Sequence, residues 1–123
     1  MRYTWLDEYL LAKKGVTKDF KAEWGWYRYQ IADKLFCAVC MDEACEKEVY
    51  ITLKLDPFRG DTLRQLFPED ILPGYYMNKT HWNSVKADGG VPDELLREML
   101  DEAYALVRSG LSRKKQMEIL MKE

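Results

Sequence analysis

Three strand-like segments in the first half of the chain constrain its fold more than any other feature. Residues 26–31 are rich in aromatic and β-branched side chains, residues 35–41 form a short continuous apolar run, and residues 49–55 partly alternate. Turn-forming or polar residues separate these segments at 32–34 and 42–47. Connections this short cannot hold the crossover that parallel strands require. We therefore expect an antiparallel meander.

Apolar stripes and capping residues predict helices around this meander. The first begins at Thr4, where Asp7 could complete a capping box, and stops before Gly15. Helices are expected over residues 4–14, 57–67, 92–109 and 113–122, and two further short strands at 75–77 and 82–86. The predicted fold class is α+β. A single antiparallel sheet of about five strands packs against helices in a domain of residues 1–110, and a C-terminal helical extension follows at 111–123.

Composition limits the class of protein. The chain has 123 residues, with 19 Lys and Arg against 21 Asp and Glu and a formal charge of -2. This mix is typical of one folded domain and excludes collagenous, membrane and disulfide-scaffold classes. It also argues against a strongly basic nucleic-acid binder, for which a domain pI above about 9 is typical.

The N-terminal segment and the short apolar runs predict a cytoplasmic protein. Asp7 and Glu8 interrupt the apolar residues near the start, so a secretory signal is not expected. No apolar run approaches the roughly 20 residues that span a bilayer, so no membrane association is expected either. In the cytoplasm Cys37, Cys40 and Cys45 are reduced thiols.

Two clusters resemble metal sites but are better explained as structure. Cys37 and Cys40 form a C-x-x-C pattern inside an apolar run, and residues three apart on a strand point to opposite faces. We predict that they are packing cysteines, with a metal or redox site as the alternative. The acidic residues at 42–48 lack the glycine-containing spacing of an EF-hand and predict a solvated loop. Neither a metal nor a cofactor is expected.

The sequence offers no recognisable catalytic motif. His81 is the only histidine, and neither a nucleophile elbow nor a phosphate-binding glycine loop is present. We therefore predict that the protein is not an enzyme, although chemistry that uses carboxylates alone stays open.

Residues 73–83 are the least ordinary segment. They interleave Tyr, Asn, Lys, His and Trp, and no acidic residue occurs between positions 71 and 87. Aromatic faces beside cationic and amide groups can stack on bases and contact phosphates. The same side chains could instead pack a small sheet and hold the backbone of a loop.

Several segments together resemble the MmcQ/YjbR-like family. These are Trp24-Gly25-Trp26-Tyr27-Arg28-Tyr29, Leu53-Lys54-Leu55-Asp56-Pro57, Val91-Pro92-Asp93-Glu94-Leu95-Leu96 and, most specifically, the P-G-Y-x-M-N-K-x-H-W block at 73–82. The resemblance runs from about residue 4 to about residue 108. It implies a CyaY-like (frataxin-like) α+β fold, and the family is commonly labelled DNA-binding.

Two positions depart from what this resemblance implies. Frataxins bind iron along an acidic first helix, whereas here Asp7 and Glu8 stand beside Lys13 and Lys14, so iron binding is not transferred. In addition, Ala32-Asp33-Lys34 stands where a Gly-Gly-Lys turn is expected.

The first functional hypothesis is weak binding of DNA or another nucleic acid through the sheet and its turns. The candidate contacts are Arg28, Lys34, Lys54, Lys79 and Lys86 for phosphates, Tyr75 and Trp82 for stacking, and Asn78 and His81 for polar contacts. Arg113, Lys114 and Lys115 could extend this patch.

Two alternatives belong to different classes. The first is a protein-interaction module that acts through its sheet face or through Met117, Leu120 and Met121 on the C-terminal helix, where the partner could be a second copy of the chain. The second is a small-molecule site near His81 and Trp82.

Overall fold

The computed structural model describes residues 1–74 and 77–121 of the chain. Within them, a six-stranded antiparallel sheet has the order β1-β2-β3-β4-β6-β5. Its strands are β1 Val16–Lys21, β2 Trp26–Ile31, β3 Lys34–Met41, β4 Glu48–Lys54, β5 Ile71–Pro73 and β6 Trp82–Lys86. The helices are α1 Leu6–Leu11, α2 Pro57–Leu66, α3 Asp93–Ser109 and α4 Arg113–Leu120. The predicted α+β class and antiparallel sheet are confirmed.

The central meander forms as its short connections predict. The strands β2, β3 and β4 pair antiparallel in chain order. The β2–β3 turn holds Ala32 and Asp33 at φ of 48° and 65°, in the left-handed region that two-residue hairpin turns require. Glycine or asparagine usually fills such positions, because glycine has no Cβ atom to clash and the short asparagine side chain can form local hydrogen bonds.

The prediction for residues 4–21 was partly wrong. The helix α1 begins at Leu6 and ends at Leu11, and its N-cap residue Trp5 makes no side-chain capping bond. The capping box is not formed, because Asp7 instead accepts hydrogen bonds of 2.7 Å from Lys18 Nζ and from the Tyr29 hydroxyl. The strand β1 was missed because it is an edge strand with four consecutive exposed residues, and its apolar alternation is therefore weak.

A strand forms just before the segment 75–77, for which the sequence predicted one. The chain forms β5 four residues earlier, where Ile71 is buried and faces Val85 of β6. Met77 lies outside any strand, and Tyr75 and Tyr76 fall outside the described residues. Gly74 passes so close to β6 that a Cβ atom there would lie 2.5 Å from Trp82 Cβ, so a larger residue would displace the chain.

The helices cover one face of the sheet. One stripe of α3 is fully buried with residues of β3 and β4 in the main core; it consists of Leu96, Met99, Leu100 and Ala103. Alternation along the strands sends the intervening side chains to the opposite face. There a separate cluster contains Trp26, Ala38 and Cys40, against which Met77 packs. We call this side the open face, because no described helix contributes to its cluster.

The C-terminal helix α4 is attached to the main core. Ile119 is 3% exposed and lies against the backbone of Gly15, whereas the three predicted apolar residues of this helix are exposed. Ser112 caps this helix, since Ser112 Oγ accepts a hydrogen bond from Lys115 N at 3.1 Å. Ile119 was missed because Met117, Leu120 and Met121 have the helical spacing of an apolar edge, and Ile119 lies outside that edge.

Replacing Ala32 by glycine should stabilise the domain. A left-handed residue with a Cβ atom carries a cost of about 1–2 kcal/mol, while the extra freedom of glycine in the unfolded chain offsets about 0.4–1 kcal/mol. We expect Ala32→Gly to raise the free energy of unfolding, measured by urea denaturation, by about 0.5 kcal/mol. The control is Ala44→Gly in the β3–β4 loop, where the backbone is not left-handed and no gain is expected. Equal effects of the two substitutions would contradict the prediction.

Candidate nucleic-acid interface

Cross-strand register arranges the side chains of the open face in rows. The first row contains, in order across the sheet, Lys21, Trp26, Cys40, Tyr50 and Lys86. The second row contains Asp19, Arg28, Ala38, Thr52 and Ser84. Each row crosses five strands, which is a span of about 19 Å at the usual strand spacing.

The second row is a floor of short side chains. Ala38 and Thr52 are fully buried, and Ser84 is 1% exposed. The hydroxyl groups of Thr52 and Ser84 lie 2.9 Å apart in a hydrogen bond, and Cys40 Sγ lies 3.5 Å from Thr52 Oγ1. These paired groups are satisfied within the sheet, so the polar contacts available to a ligand lie at the ends of the rows.

The first row places aromatic side chains between lysines. Trp26 and Tyr50 lie on strands separated by β3, with Lys21 at one end of the row and the exposed Lys86 at the other. Trp26 is only 5% exposed and Tyr50 is half-buried, so the row itself exposes little aromatic surface. Aromatic side chains beside cations are typical of proteins that bind single-stranded nucleic acid. Only the assembled sheet shows this row, because its members lie far apart along the chain.

Trp24 adds an exposed aromatic ring to this surface. It is 56% exposed, and its ring centroid lies 5.3 Å from that of Trp26 at an interplanar angle of 66°. Gly25 between them has a φ of +67°, a left-handed conformation that brings the chain from the turn into β2. The Trp24-Gly25-Trp26 motif is visible in the sequence, but it was not predicted to take part in binding.

A cavity opens beside the two tryptophans. Its volume is about 430 Å³, and it is lined by Glu23, Trp24, Trp26 and Met77. A second cavity of about 500 Å³ continues from it towards the β3–β4 loop, where Cys45 and Tyr50 contribute to the wall. Neither cavity is lined by His81 or Trp82, the residues near which a small-molecule site was expected.

At the β1–β2 end of the open face, the cationic side chains form ion pairs with carboxylates. Arg28 donates to Asp19 through Nε at 2.8 Å and through a terminal nitrogen at 2.6 Å. Lys21 Nζ lies 3.2 Å from Glu23. These cations lower the pKa of the Asp19 and Glu23 carboxyl groups, which therefore stay charged at neutral pH.

The other predicted cations lack such partners. Among the described residues, none forms an ion pair with Lys34, Lys54, Lys79 or Lys86. Lys54 and Lys86 lie on the open face, Lys34 is exposed at the start of β3, and Lys79 is exposed in the loop before β6. The free positive charge therefore lies towards the β4–β6 side.

The remaining predicted contacts have structural partners. Asn78 Oδ1 accepts a hydrogen bond from Thr80 N at 2.8 Å, and the Asn78 carbonyl accepts one from Trp82 N at 3.0 Å. The half-buried His81 uses its carbonyl to accept a bond of 2.8 Å from Leu55 N. Trp82 is on the open face but only 9% exposed, and Tyr75 lies outside the described residues.

The cysteines lie as the strand geometry predicts. Cys37 belongs to the main core and Cys40 to the open-face cluster, so the two thiols are on opposite sides of the sheet. Burial raises the pKa of the Cys37 thiol, and it raises that of Cys40 to about 11. Within residues 1–74 and 77–121, no three metal-ligating side chains group closely enough to hold an ion.

Residues 11–106 match the family model described as YjbR. The chain belongs to the YjbR family. It is 30% identical over 97 residues to the uncharacterised protein YjbR of Escherichia coli K12, covering 79% of both chains. It is also 37% identical over 70 residues to the uncharacterised YbdF of Escherichia coli O157:H7, covering 57% of each.

Solved structures share the fold of this YjbR-family domain. The crystal structure of Deinococcus radiodurans DR2400, a DUF419 domain, has a TM-score of 0.82 and 29% identity, covering 93% of this chain and 84% of that one. A Pseudomonas syringae crystal structure has a TM-score of 0.66 at 21% identity, covering 86% and 98%. None of the helices in the described part of the YjbR-family chain is long and apolar enough to cross a bilayer.

We expect the three thiols to differ in reactivity. Cys45 is exposed, whereas Cys37 and Cys40 are buried, and a thiolate must form for reaction with an aromatic disulfide reagent. At pH 8 one thiol per chain should react rapidly, and two more should react only after unfolding in denaturant. Cys45→Ser should remove the rapid phase. Rapid labelling of Cys45→Ser would contradict the observed burial.

Proposed function

We propose that this YjbR-family domain binds single-stranded nucleic acid weakly through the open face of its sheet. The proposal is for a binding domain without catalysis, acting in the cytoplasm. The observation that carries it is the row that crosses the sheet from Lys21 through Trp26 and Tyr50 to Lys86.

Charge distribution supports a weak, salt-sensitive interaction. The net charge of -2 disfavours tight nonspecific binding, and Arg28 is already held by Asp19. Lys54 and Lys86 provide local positive charge on the same face and are therefore the principal phosphate contacts of the proposal. Lys34 and Lys79 border this region and could contact a strand that extends beyond it.

Aromatic exposure favours a single strand over a duplex. Bases that are not paired can stack on exposed aromatic rings, and this stacking is largely independent of base sequence. Trp24 offers such a ring, while Trp82 is too buried to offer more than an edge. The proposal therefore transfers the main stacking role from the predicted Trp82 to Trp24.

Binding should weaken with salt, and two lysine substitutions should reduce the salt dependence. We would measure the anisotropy of a labelled single-stranded oligonucleotide from about 50 to 200 mM salt, since displaced counterions oppose binding at high salt. In Lys54→Gln/Lys86→Gln, the slope of log affinity against log salt should fall by about 0.7 for each lost phosphate contact. A duplex of the same sequence should bind more weakly.

The matched control changes the same number of charges on another side of the molecule. Arg113→Gln/Lys114→Gln lies on α4, which packs on the helix-covered core through Ile119. For this reason α4 is not part of the proposed interface, although its basic residues were a candidate extension. The control should keep the parent slope. Absence of binding at 50 mM salt, or equal losses in both variants, would refute the proposal.

Self-association through α4 is a second candidate function. Met117, Leu120 and Met121 are 58%, 52% and 79% exposed, an unusual amount of apolar surface for one short helix. If a second copy covers them, replacing all three by glutamine should convert a dimer to a monomer in light scattering. Ile119 is retained in this variant, so α4 stays attached to its own domain. A parent protein that is monomeric at about 100 μM would exclude this candidate.

A further inference from the structure

We propose that the cleft lined by Glu23, Trp24, Trp26 and Met77 is a base-binding subsite that prefers guanine. This inference rests on the proposed function and specifies one subsite within it. A cavity of about 430 Å³ is within the range of small-ligand pockets and opens directly onto the exposed ring of Trp24.

The walls of the cleft fit a flat aromatic ligand. The two indole rings are in contact at 66° with centroids 5.3 Å apart, and Trp26 is only 5% exposed, so a base would stack on the exposed ring of Trp24 beside Trp26. Among the described residues, Met77 adds a flexible, polarisable thioether to the lining. These surfaces favour a ring with a π face and do not themselves distinguish one base from another.

Glu23 provides the polar group that can discriminate. It lines the same cavity, and an ionised carboxylate has two acceptor oxygens and no donor. On its pairing edge, guanine has two adjacent donors, the ring N–H and the exocyclic amine, which match this arrangement. Adenine and cytosine have one amine beside an acceptor, and uracil has one N–H between two carbonyl groups. Lys21, 3.2 Å from Glu23, keeps the pKa of the carboxyl group low and the acceptor charged.

A cationic ligand is the main competing occupant, because tryptophans with a carboxylate also form cages for quaternary ammonium groups. Here two cations already lie over the ring of Trp24. Lys21 Nζ is 5.3 Å from its centroid and the Arg28 guanidinium carbon is 6.0 Å away. A quaternary ammonium ligand would have to displace these two cations from the face of Trp24. Because Lys21 is paired with Glu23 and Arg28 with Asp19, the cleft holds no unpaired carboxylate of this group to attract such a ligand, and a neutral base is the better occupant.

The test uses nucleosides without phosphate, so that the subsite is separated from the lysines of the open face. Indole N–H signals of the ¹⁵N-labelled protein report on its four tryptophans. Guanosine should shift the signals of Trp24 and Trp26 and leave that of Trp5, which packs against the main core, unchanged. Inosine, which lacks only the exocyclic amine, should bind about fivefold or more weakly than guanosine. Uridine should bind more weakly than inosine.

Substitutions separate the stacking role of Trp24 from the hydrogen-bonding role of Glu23. Trp24→Ala should reduce guanosine affinity about tenfold, as expected for loss of one stacking surface, and the ring is exposed enough for the fold to persist. Glu23→Gln should bring the affinities for guanosine and inosine within about twofold of each other, because the charged acceptor is lost. Glu69→Gln, an exposed carboxylate outside the cleft, should leave the ratio unchanged.

Failure of this inference and failure of the proposed function give different results. Equal affinities for the nucleosides, or shifts caused by tetramethylammonium and not by guanosine, would overturn the guanine subsite. Salt-dependent oligonucleotide binding that requires Lys54 and Lys86 could still hold in that case. Conversely, guanosine binding that depends on Trp24 and Glu23, without oligonucleotide binding, would support the subsite and refute the wider nucleic-acid function.

Discussion

The burial of one apolar stripe of α3 against one face of the sheet is the contact on which the rest of this domain depends. Leu96, Met99 and Leu100 are fully buried. Burial of each such side chain stabilises the folded state by about 1.5–3 kcal/mol. Because α3 packs on β2, β3 and β4, the register of the meander is tied to that face. The alternate side chains of the same strands must then lie on the open face.

Part of the open face is shielded from solvent although no described helix covers it. Ala38, Thr52 and Ser84 are short enough to be buried in the sheet surface, and Met77 packs onto the cluster around Trp26. The loop that carries Met77 follows Gly74, where the absence of a side chain lets the backbone approach Trp82. Gly74 and Met77 thus have a structural role, and the proposed binding surface lies mainly beside them.

Local signals made much of the fold predictable. The strands β2, β3 and β4 carry their own composition and short turns, α2 begins at an Asp56 side chain that accepts from Phe58 N, and α3 has a long apolar stripe. The strand β1 could not be predicted in the same way, because an exposed edge strand is held by backbone pairing with β2. Similarly, α1 starts late because Asp7 bonds to Lys18 and Tyr29 and does not cap the helix.

The sequence by itself determined the family, the α+β class, the opposite orientation of Cys37 and Cys40, and a pool of candidate cations. Tertiary structure decided which of those cations can act together. It pairs Arg28 on β2 with Asp19 on the neighbouring strand β1 and leaves Lys54 and Lys86 on one face with Trp26. The reason is that charge pairing and shared faces depend on strand register, which joins residues that are distant in the chain and therefore leaves no local pattern to read.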